Sequence, residues 1–345
     1  MSELISNFVP MKEKKTVLLD ICEITNPASG FGQIARNYAH WYGHASDPDI
    51  HFQLMTNPSQ MAQYKDSDSI HLWHSTNQQQ LKRRHSRNSK FIITIHDLNY
   101  LTEKGLLSRL KHNYQLQKAI NQASAITAIS HYVARQIESN FDMKGKKVRV
   151  IYNGVENITQ EPESQPAFVT GRPFFFAIGQ IRKKKNFHLL ADMMQHLPDY
   201  DLYICGDDHF DFSKVVRQHI SQLPTANAML AGKITAEERV WLYRHCSAFL
   251  FPSIGEGFGL PVIEAMQFGK PVFISNATCL PEICHGHACI WPTLKPDEMA
   301  RVVAESLPKF TETMANDCIS HAQKFSYQTH IQSYISLYRE LLLNE

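Results

Sequence analysis

Short apolar runs alternate with polar or amphipathic stretches along the whole chain. Each run is three to six residues long, which is typical of a buried strand rather than of a helix. The pattern predicts strands at residues 16–21, 51–55, 70–73, 91–95, 125–129, 148–152, 174–178, 201–205, 228–230, 248–251 and 271–275. It predicts helices at residues 33–42, 106–123, 131–139, 236–246 and 326–343, with three more that begin near residues 186, 260 and 280.

The alternation of strands and helices continues on both sides of a polar segment at residues 157–172. This segment contains two prolines and one glycine, a composition typical of a linker between domains. Strands that alternate with helices favour a parallel sheet covered by helices on both faces. We therefore expect an α/β fold of two doubly wound domains that face a cleft, with the boundary near residue 165.

Local signals support several of the predicted helix ends. Ser130 is placed to cap the helix that follows it, and Thr235 forms a capping-box pattern with Glu238. Gly269 follows the helix that begins at Leu260 and is typical of a helix stop.

The most informative stretch is residues 248–266, an apolar strand followed by a glycine-rich turn and a helix start. The free N–H groups of such a turn and the positive end of the helix dipole form a cradle for an anion. Glu256 lies in the turn and Glu264 in the first turns of the helix, where each can accept two hydrogen bonds from a sugar diol. The combination points to a sugar nucleotide, although Gly257 and Gly259 alone are equally typical of an ordinary strand-to-helix turn.

A second anion site is predicted after the strand at 174–178. Four consecutive cations, Arg182 to Lys185, lie there before a helix. Packed like charges repel one another unless an anion offsets them, so a diphosphate is the natural occupant. The alternative is a solvated basic loop.

Two further strand ends carry candidate residues, because ligands of open α/β sheets gather at the carboxyl ends of the strands. Gly30 and Gly32 lie between the first strand and its helix, and serve either a tight turn or the close approach of a ligand. His96 and Asp97 follow the strand at 91–95. His96 is either a structural hydrogen-bonding residue or a cleft residue, and Asp97 is expected to orient it or to cap the next element.

Composition narrows the class of protein. At 345 residues, with 43% apolar and 20% charged residues, the chain is typical of a globular protein of two domains. A net charge of +2 offers no bulk attraction to nucleic acid. Seven cysteines without a CxxC pair favour a reducing compartment, and neither a signal peptide nor an apolar stretch of about 18 residues is recognisable. We expect a cytoplasmic protein.

One stretch leaves a membrane contact open. Residues 81–90 hold five lysines and arginines and no acid. The stretch is either a solvated loop or a patch for anionic lipid headgroups, which would make the protein peripheral at the inner membrane face.

Neither a metal ion nor a cofactor is expected. Each of the three Asp-x-Asp pairs precedes its strand instead of following it, as turn residues do. The cysteines and histidines between residues 279 and 289 have the spacing of no standard zinc site.

Four segments resemble the retaining nucleotide-sugar glycosyltransferases of glycosyltransferase family 4. The string EGFGLPVIEAM at 256–266 has the two glutamates of that family, eight positions apart. TIHDLNYL at 94–101, IYNGV at 151–155 and the loop at 179–186 are also similar to family members. The resemblance implies the GT-B fold of two Rossmann-like domains. The acceptor-side domain would span residues 1–165 and the donor-binding domain residues 166–325, and a last helix, 326–345, would pack back on the first domain.

The resemblance also implies roles for single residues. In the family the first glutamate contacts the donor sugar, the backbone after it contacts the diphosphate, and the second glutamate holds the ribose. Glu256, His96 and Lys185 are therefore the expected catalytic residues, with His96 beside the sugar and Lys185 on the diphosphate. The expected donor-binding residues are Gly30, Gly32, Arg182, Lys184, Lys185, Glu256, Gly257, Phe258, Gly259, Leu260 and Glu264.

The chain departs from the family pattern at one position. Gln180 stands where family members have an arginine. Either Arg182 or Lys184 is expected to supply the missing charge, and the sequence leaves that choice open.

The function implied is retaining transfer of a hexose from a GDP, UDP or dTDP sugar to a glycan or lipid-linked acceptor in polysaccharide biosynthesis. Mannosyl and rhamnosyl transfer are the forms that the resemblance suggests. The reaction is expected to need no metal, because the cations of the loop at 182–185 replace it electrostatically. The alternative is a nucleotide-sugar sensor, or a scaffold of a glycan assembly complex, whose cleft is catalytically idle.

Overall fold

The computed structural model describes residues 13–25, 30–64, 67–79, 88–225 and 227–343. Its N-terminal lobe is a parallel sheet of six strands with helices on both faces. The strands are β1 (Lys15–Asp20), β2 (Ile50–Met55), β3 (Leu72–Ser75), β4 (Lys90–Ile95), β5 (Ala125–Ala128) and β6 (Val148–Val150). The helices are α1 (Gly30–His44), α2 (Met61–Tyr64), α3 (Tyr100–Glu103), α4 (Leu106–Gln122) and α5 (His131–Asn140).

The C-terminal lobe repeats this plan with a second parallel sheet of six strands. Its strands are β7 (Phe174–Ile178), β8 (Asp201–Cys205), β9 (Ala228–Gly232), β10 (Ala248–Phe251), β11 (Val272–Ser275) and β12 (Cys289–Trp291). Its helices are α6 (Phe187–Met193), α7 (Phe212–Ser221), α8 (Ala236–His245), α9 (Leu260–Gln267), α10 (Leu280–Cys284), α11 (Pro296–Ser306) and α12 (Glu312–Gln323), and the last helix is α13 (Tyr327–Leu343).

Strand order places a switch point in each sheet. The first sheet has the order β2-β1-β3-β4-β5-β6, so the order reverses between β1 and β3. The second has the order β12-β11-β10-β7-β8-β9, so it reverses between β7 and β10. In open α/β sheets the crevice at such a point, beyond the carboxyl ends of the strands, is where ligands bind. The prediction of two doubly wound α/β domains is confirmed, and the boundary at residue 165 stays a prediction.

Helix α13 lies against the sheet of the N-terminal lobe. Val17 and Leu19 on one face of β1 share a buried cluster with Tyr334 and Tyr338 of α13, while Leu18 points to the opposite face. Beneath the helix, the His74 ring bonds the Tyr338 hydroxyl at 2.7 Å. The chain therefore returns to its first lobe after it has completed the second.

More polar contacts fix α13 in this position. The second ring nitrogen of His74 lies 2.8 Å from the Thr94 hydroxyl, which also lies 2.8 Å from the Tyr334 hydroxyl. The His330 ring reaches the Tyr38 hydroxyl at 2.7 Å and the Tyr152 carbonyl oxygen at 2.6 Å. These side chains are buried, so each polar group needs the partner that the other element supplies.

The two lobes also touch each other directly. The Ser130 hydroxyl donates to the Gly257 carbonyl oxygen at 2.9 Å. The Glu282 carboxylate on α10 accepts the first amides of α5, from His131 at 2.6 Å and from Tyr132 at 2.9 Å. An acid of one lobe thus caps a helix of the other.

Several helix ends agree with their sequence signals. The Ser130 hydroxyl accepts a hydrogen bond from the Val133 amide, and Thr235 and Glu238 form both halves of a capping box. Gly269 has a φ of +62°, the left-handed conformation typical of a helix stop. None of the helices within the described ranges combines the length and the apolar character needed to cross a bilayer.

The start of α1 corrects one expectation. Gly30 and Gly32 do not lie in a connection before the helix, because α1 begins at Gly30 and both glycines belong to its first turn. Phe31, between them, makes an edge-to-face contact with the His96 ring at 5.1 Å. This tertiary contact holds the first turn in a helical form that glycine alone does not favour.

Candidate active site

The candidate site lies at the carboxyl ends of β7 and β10, the two strands at the switch point of the C-terminal lobe. The basic loop after β7 and the glycine-rich loop after β10 meet there. Ile254 donates its amide to the Lys184 carbonyl oxygen at 2.8 Å, and the Asn186 side chain donates to the Pro252 carbonyl oxygen at 3.2 Å. Because these bonds join the two loops, their charged side chains are held in a common geometry.

Lys185 and Glu256 form the centre of this arrangement. The Lys185 ammonium lies 2.5 Å from the Glu256 carboxylate, and the two side chains are only 12% and 14% exposed. The Ser253 hydroxyl donates to the same carboxylate oxygen at 2.5 Å. The ammonium also lies 4.6 Å from the centre of the Phe251 ring, a cation–π contact. Each partner offsets the largely buried charge of the other.

The backbone after Glu256 has an unusual balance of donors and acceptors. The carbonyl oxygens of Glu256 and Phe258 accept from the Cys279 thiol, and that of Gly257 accepts from Ser130. The amides of residues 257–260 find no acceptor within the described parts of the chain. Gly259 has a φ of +99°, which favours glycine, and leads directly into α9. Free amides at a helix start suit an anion.

Glu264 is held from the side by α8. Its carboxylate accepts from the Tyr243 hydroxyl at 2.8 Å and lies 3.4 Å from the Arg239 guanidinium. Burial raises the pKa of Tyr243 well above its ordinary value, and the negative charge of Glu264 raises it further. The same charge raises the pKa of Arg239. Tyrosine and arginine therefore stay protonated and keep the carboxylate in one orientation.

His96 approaches the site from the N-terminal lobe. Burial lowers the pKa of His96 below its ordinary value, against the opposing effects of a bond to Thr76 and of the Asp97 charge. The ring nitrogen Nε2 lies 2.9 Å from the Thr76 carbonyl oxygen, which can only accept, so Nε2 carries the proton. The ring is thus neutral near pH 7.

Gly257 and His96 meet where the lobes touch. A Cβ atom on Gly257 would lie 2.1 Å from the His96 carbonyl oxygen, far inside van der Waals contact. Glycine is therefore required here for steric reasons. The contact brings the loop after β10 against the end of β4, so residues of the two lobes lie side by side at this point.

Two family models match the chain. The model for Glycosyltransferase Family 4 matches residues 32–157, and the model for Glycosyl transferases group 1 matches residues 159–325. The chain belongs to glycosyltransferase family 4. The N-terminal match covers the lobe that holds His96, and the C-terminal match covers the lobe that holds Lys185, Glu256 and Glu264.

Curated relatives of this family-4 chain include two proteins of O-antigen synthesis. O-antigen chain mannosyltransferase RfbU of Salmonella typhimurium is 26% identical over 197 residues, which are 55% of this chain and 53% of that protein. O-antigen chain mannosyltransferase B of Escherichia coli is 24% identical over 274 residues, 74% of this chain and 71% of that protein. The match to RfbU thus spans about half the length of that relative.

Solved structures of similar fold cover nearly the whole chain. HepE of Anabaena, in complex with UDP and glucose, has a TM-score of 0.69 at 17% identity and covers 94% of this chain and 99% of its own. Sucrose-phosphate synthase of Thermosynechococcus elongatus has a TM-score of 0.72 at 15% identity, with coverage of 96% and 100%. The predicted GT-B fold is confirmed.

Arg182 and Lys184, the two candidates to replace the family arginine at Gln180, have different partners. The Arg182 guanidinium lies 4.2 Å from the centre of the Phe210 ring, and its buried Nε finds no acceptor among the described residues. The Lys184 ammonium reaches across the lobes to the Glu103 carboxylate at 2.9 Å. The assignment of either residue to a donor phosphate stays a prediction.

Several residues that shape the site were not predicted from the sequence. Ser253, Tyr243 and Arg239 orient the two glutamates, and Ser130 reaches the glycine-rich loop from the other lobe. A signal existed for Ser253, a polar residue soon after an apolar strand and three positions before Glu256. The others lie on different elements and have no spacing that marks them.

Two expectations remain outside what the structure tests. Of the basic stretch at 81–90, residues 81–87 lie outside the described residues. Within the described ranges, no group of three or more histidine, cysteine, aspartate or glutamate side chains is arranged to hold a metal ion. The prediction that the reaction needs neither metal nor cofactor stays a prediction.

Proposed function

We propose that the protein is a retaining, metal-independent glycosyltransferase of polysaccharide biosynthesis, which moves a hexose from a nucleotide-diphosphate sugar to a glycan or lipid-linked acceptor. One observation carries the proposal. The Lys185–Glu256 pair lies next to the free amides of residues 257–260, at the switch point of the second sheet and against His96 of the first lobe. The positive groups that would bind a diphosphate thus lie next to the carboxylate that would bind the sugar hydroxyls.

The difficult step is the cleavage of the bond between the anomeric carbon and the diphosphate oxygen. Negative charge grows on that oxygen while the sugar becomes oxocarbenium-like. Lys185 and the amides of 257–260 are proposed to stabilise the growing charge, since donors fixed beforehand usually supply the largest catalytic effect. Glu256 would hold the sugar hydroxyls and Glu264 the ribose diol. The leaving phosphate would assist attack of the acceptor on the same face, which retains the anomeric configuration.

Neutral His96 suits a place beside the sugar. Its burial and its bond to Thr76 fix both the ring orientation and the position of the proton. A neutral ring does not repel the positive charge that develops on the sugar, whereas an imidazolium would. We propose that His96 acts through contact with the donor sugar and not by proton transfer.

For the donor we propose GDP-mannose. The support is that relatives such as RfbU are O-antigen mannosyltransferases, whereas HepE, a structural neighbour, binds UDP and glucose. The base of the nucleotide therefore needs a direct test. A thermal-shift series with GDP, UDP and dTDP compares them, because a nucleotide that binds the folded state raises the melting temperature with the logarithm of its concentration over Kd.

The activity itself is tested with the sugar donor of the preferred base. The expected result is slow donor hydrolysis without acceptor, faster turnover with a lipid-linked glycan, and an α product from an α donor by NMR, all unchanged by EDTA. Glu264→Ala is expected to weaken donor affinity tenfold or more. An inverted product would overturn the retaining assignment. Tight nucleotide binding without turnover on any acceptor would favour the sensor or scaffold instead.

A further inference from the structure

The surface of α4 carries a stripe of exposed apolar side chains. Leu106, Leu107, Leu110 and Tyr114 are 67%, 84%, 56% and 72% exposed. They are four of the eight large hydrophobic side chains that are exposed in the described parts of the chain, and the other four are scattered over the C-terminal lobe. Single exposed apolar residues are normal on soluble proteins, but a contiguous group marks an interaction surface.

Helix geometry shows that the stripe is separate from the core face of α4. At 3.6 residues per turn, its four side chains fall within an arc of about 100°. Leu116, Ala119 and Ile120, which are buried against the lobe, lie on the opposite side of the same helix. The helix therefore has two apolar faces, and among the residues that the structure describes only one of these faces has a partner.

Basic residues border the stripe. Arg109, Lys111 and Lys118 are exposed, and no carboxylate among the described residues pairs with them. Lys104, immediately before α4, is also exposed. No acidic residue occurs from residue 104 to the end of α4. The charged side chains of α4 that lie beside the stripe are thus all cationic. An exposed apolar face with such neighbours complements a surface that is apolar inside and anionic at its edge.

A second copy of this chain is a poor occupant of the same face. A symmetric dimer would place each stripe against its own copy, and so would bring the cations of one border against those of the other. Like charges brought together across an interface oppose association. A bilayer with anionic phospholipid meets both requirements, because acyl chains accept the leucines and headgroup phosphates accept the cations.

We propose that the stripe of Leu106, Leu107, Leu110 and Tyr114, with its basic border, docks the protein on an anionic membrane surface. The helix would lie in the plane of the interface with its leucines among the acyl chains. The surface is close to the candidate site, since Glu103, three residues before Leu106, pairs with Lys184 of the basic loop after β7 at 2.9 Å. Docking would hold the crevice near the bilayer, where a lipid-linked acceptor resides. Membrane binding itself does not depend on the proposed transfer reaction.

Vesicle flotation of the full chain tests the proposal. Vesicles of phosphatidylcholine alone are compared with an equimolar mixture of phosphatidylcholine and phosphatidylglycerol. The wild type is expected to float with the mixture, less so at high salt, and hardly at all with phosphatidylcholine. Leu107→Ser with Leu110→Ser is expected to weaken binding to the mixture tenfold or more. Arg109→Glu with Lys111→Glu is expected to do the same.

Matched controls separate this surface from general effects. Ile290→Ser with Met314→Ser removes two apolar side chains of the other lobe that are 39% and 44% exposed, and is expected to leave flotation unchanged. The substituted leucines of α4 are more than half exposed, so circular dichroism and melting temperature are expected to match the wild type. Arg83→Glu with Arg84→Glu tests the basic stretch at 81–90 in the same assay.

Three results would overturn the proposal. One is a wild type that does not float with the anionic mixture. Another is a loss of flotation in the Arg83→Glu, Arg84→Glu variant alone, which would assign the contact to the basic stretch. The third is a dimer in analytical ultracentrifugation that Leu107→Ser with Leu110→Ser dissociates, which would make the stripe a contact between copies of the chain.

Discussion

At the scale of single residues, the ion pair between Lys185 and Glu256 determines which chemical groups a bound donor needs. Each of the two charges already has a partner, and both are largely removed from water. In the proposed binding mode a diphosphate sugar takes over both roles, its phosphate facing the ammonium and its hydroxyls facing the carboxylate. A ligand with only one of these groups leaves one largely buried charge without a partner, which disfavours binding.

Lys185→Ala is expected to lower turnover tenfold or more, because removal of one fixed donor to a developing oxyanion costs about 3 kcal/mol. Steady-state kinetics with the donor identified by thermal shift measures the effect. Lys183→Ala is the matched control, since Lys183 belongs to the same run of cations but is exposed. Equal losses in the two variants would mean that only the overall charge of the loop matters.

Gly257→Ala is expected to impair activity by forcing the lobes apart. Its Cβ would meet the His96 carbonyl oxygen at 2.1 Å, and the backbone on either side must shift to relieve the clash. We expect a loss of tenfold or more in kcat/KM, with a melting temperature that falls by a few degrees. Gly105→Ala is the control, because a Cβ there meets nothing within 4 Å. A Gly257→Ala enzyme with normal kinetics would show that the contact is dispensable.

At the scale of elements, the junction of α10 with α5 is the clearest joint between the lobes. Both carboxylate oxygens of Glu282 accept amides of the first turn of α5, and the Tyr152 hydroxyl donates to one of them at 3.2 Å. Hydrogen bonds to a charged group are worth about 1.5–3 kcal/mol each, and the helix dipole adds to them. The joint therefore favours the arrangement in which the lobes are in contact.

Glu282→Ala is expected to shift the protein toward an arrangement with the lobes farther apart. A loss of about 2 kcal/mol corresponds to about a 30-fold change in that equilibrium. Small-angle scattering should show a larger radius of gyration, and hydrogen exchange should accelerate at the amides of His131 and Tyr132. Glu298→Ala, which removes a surface acid of α11, is expected to change neither. Unaltered exchange at the start of α5 in Glu282→Ala would contradict the assigned role.

Most elements could be predicted from the sequence because their cause is local. Short apolar runs identify the strands, and the caps at Ser130 and Thr235 act within one turn of helix. One strand, β12, and five helices, α2, α3, α7, α11 and α12, were not predicted. The core face of α12, for example, is made of Cys318, His321 and Ala322, so no period of large apolar residues reveals it. Elements whose buried side chains are small or polar need the tertiary structure to be recognised.

The residues of the candidate site also fall into two groups, those that the sequence could predict and those that only the packing brings together. Glu256, the glycines after it and Lys185 were predictable because they lie in two compact loops next to strands. The Glu282 cap joins residues about 150 positions apart, and Tyr243 reaches Glu264 from another helix. Their roles follow from how the lobes and helices pack, and no pattern of spacing along the chain encodes that packing.

At the scale of the whole molecule, buried histidines under α13 make stability depend on pH. Burial lowers the pKa of His74 to about 3 and that of His330 to about 4. In the unfolded chain both have the ordinary pKa of about 6.5. Between these values the unfolded state binds more protons, so the free energy of unfolding falls as the pH falls from about 6.5 toward 4.

The free energy of unfolding is expected to drop by about 5 kcal/mol from pH 7 to about pH 4.5 on account of these two histidines, at about 1.4 kcal/mol per pH unit each. Denaturant titrations across this range measure the slope. His74→Gln should reduce the slope of the free energy of unfolding against pH by the contribution of one proton, about 1.4 kcal/mol per pH unit. His40→Gln, a change at an exposed histidine, should not. Equal slopes in all three proteins would contradict the assignment to the buried network.

The return of α13 to the first lobe has a consequence for synthesis on the ribosome. Tyr334 and Tyr338 complete the N-terminal core, yet roughly 190 residues separate Val155, after the last strand of that lobe, from the end of the helix. At about 5–20 residues per second, the first lobe emerges about 10–40 s before its covering helix exists. For that interval His74 and the apolar face around Val17 are uncovered in the nascent chain, a period in which a chaperone has a defined surface to hold.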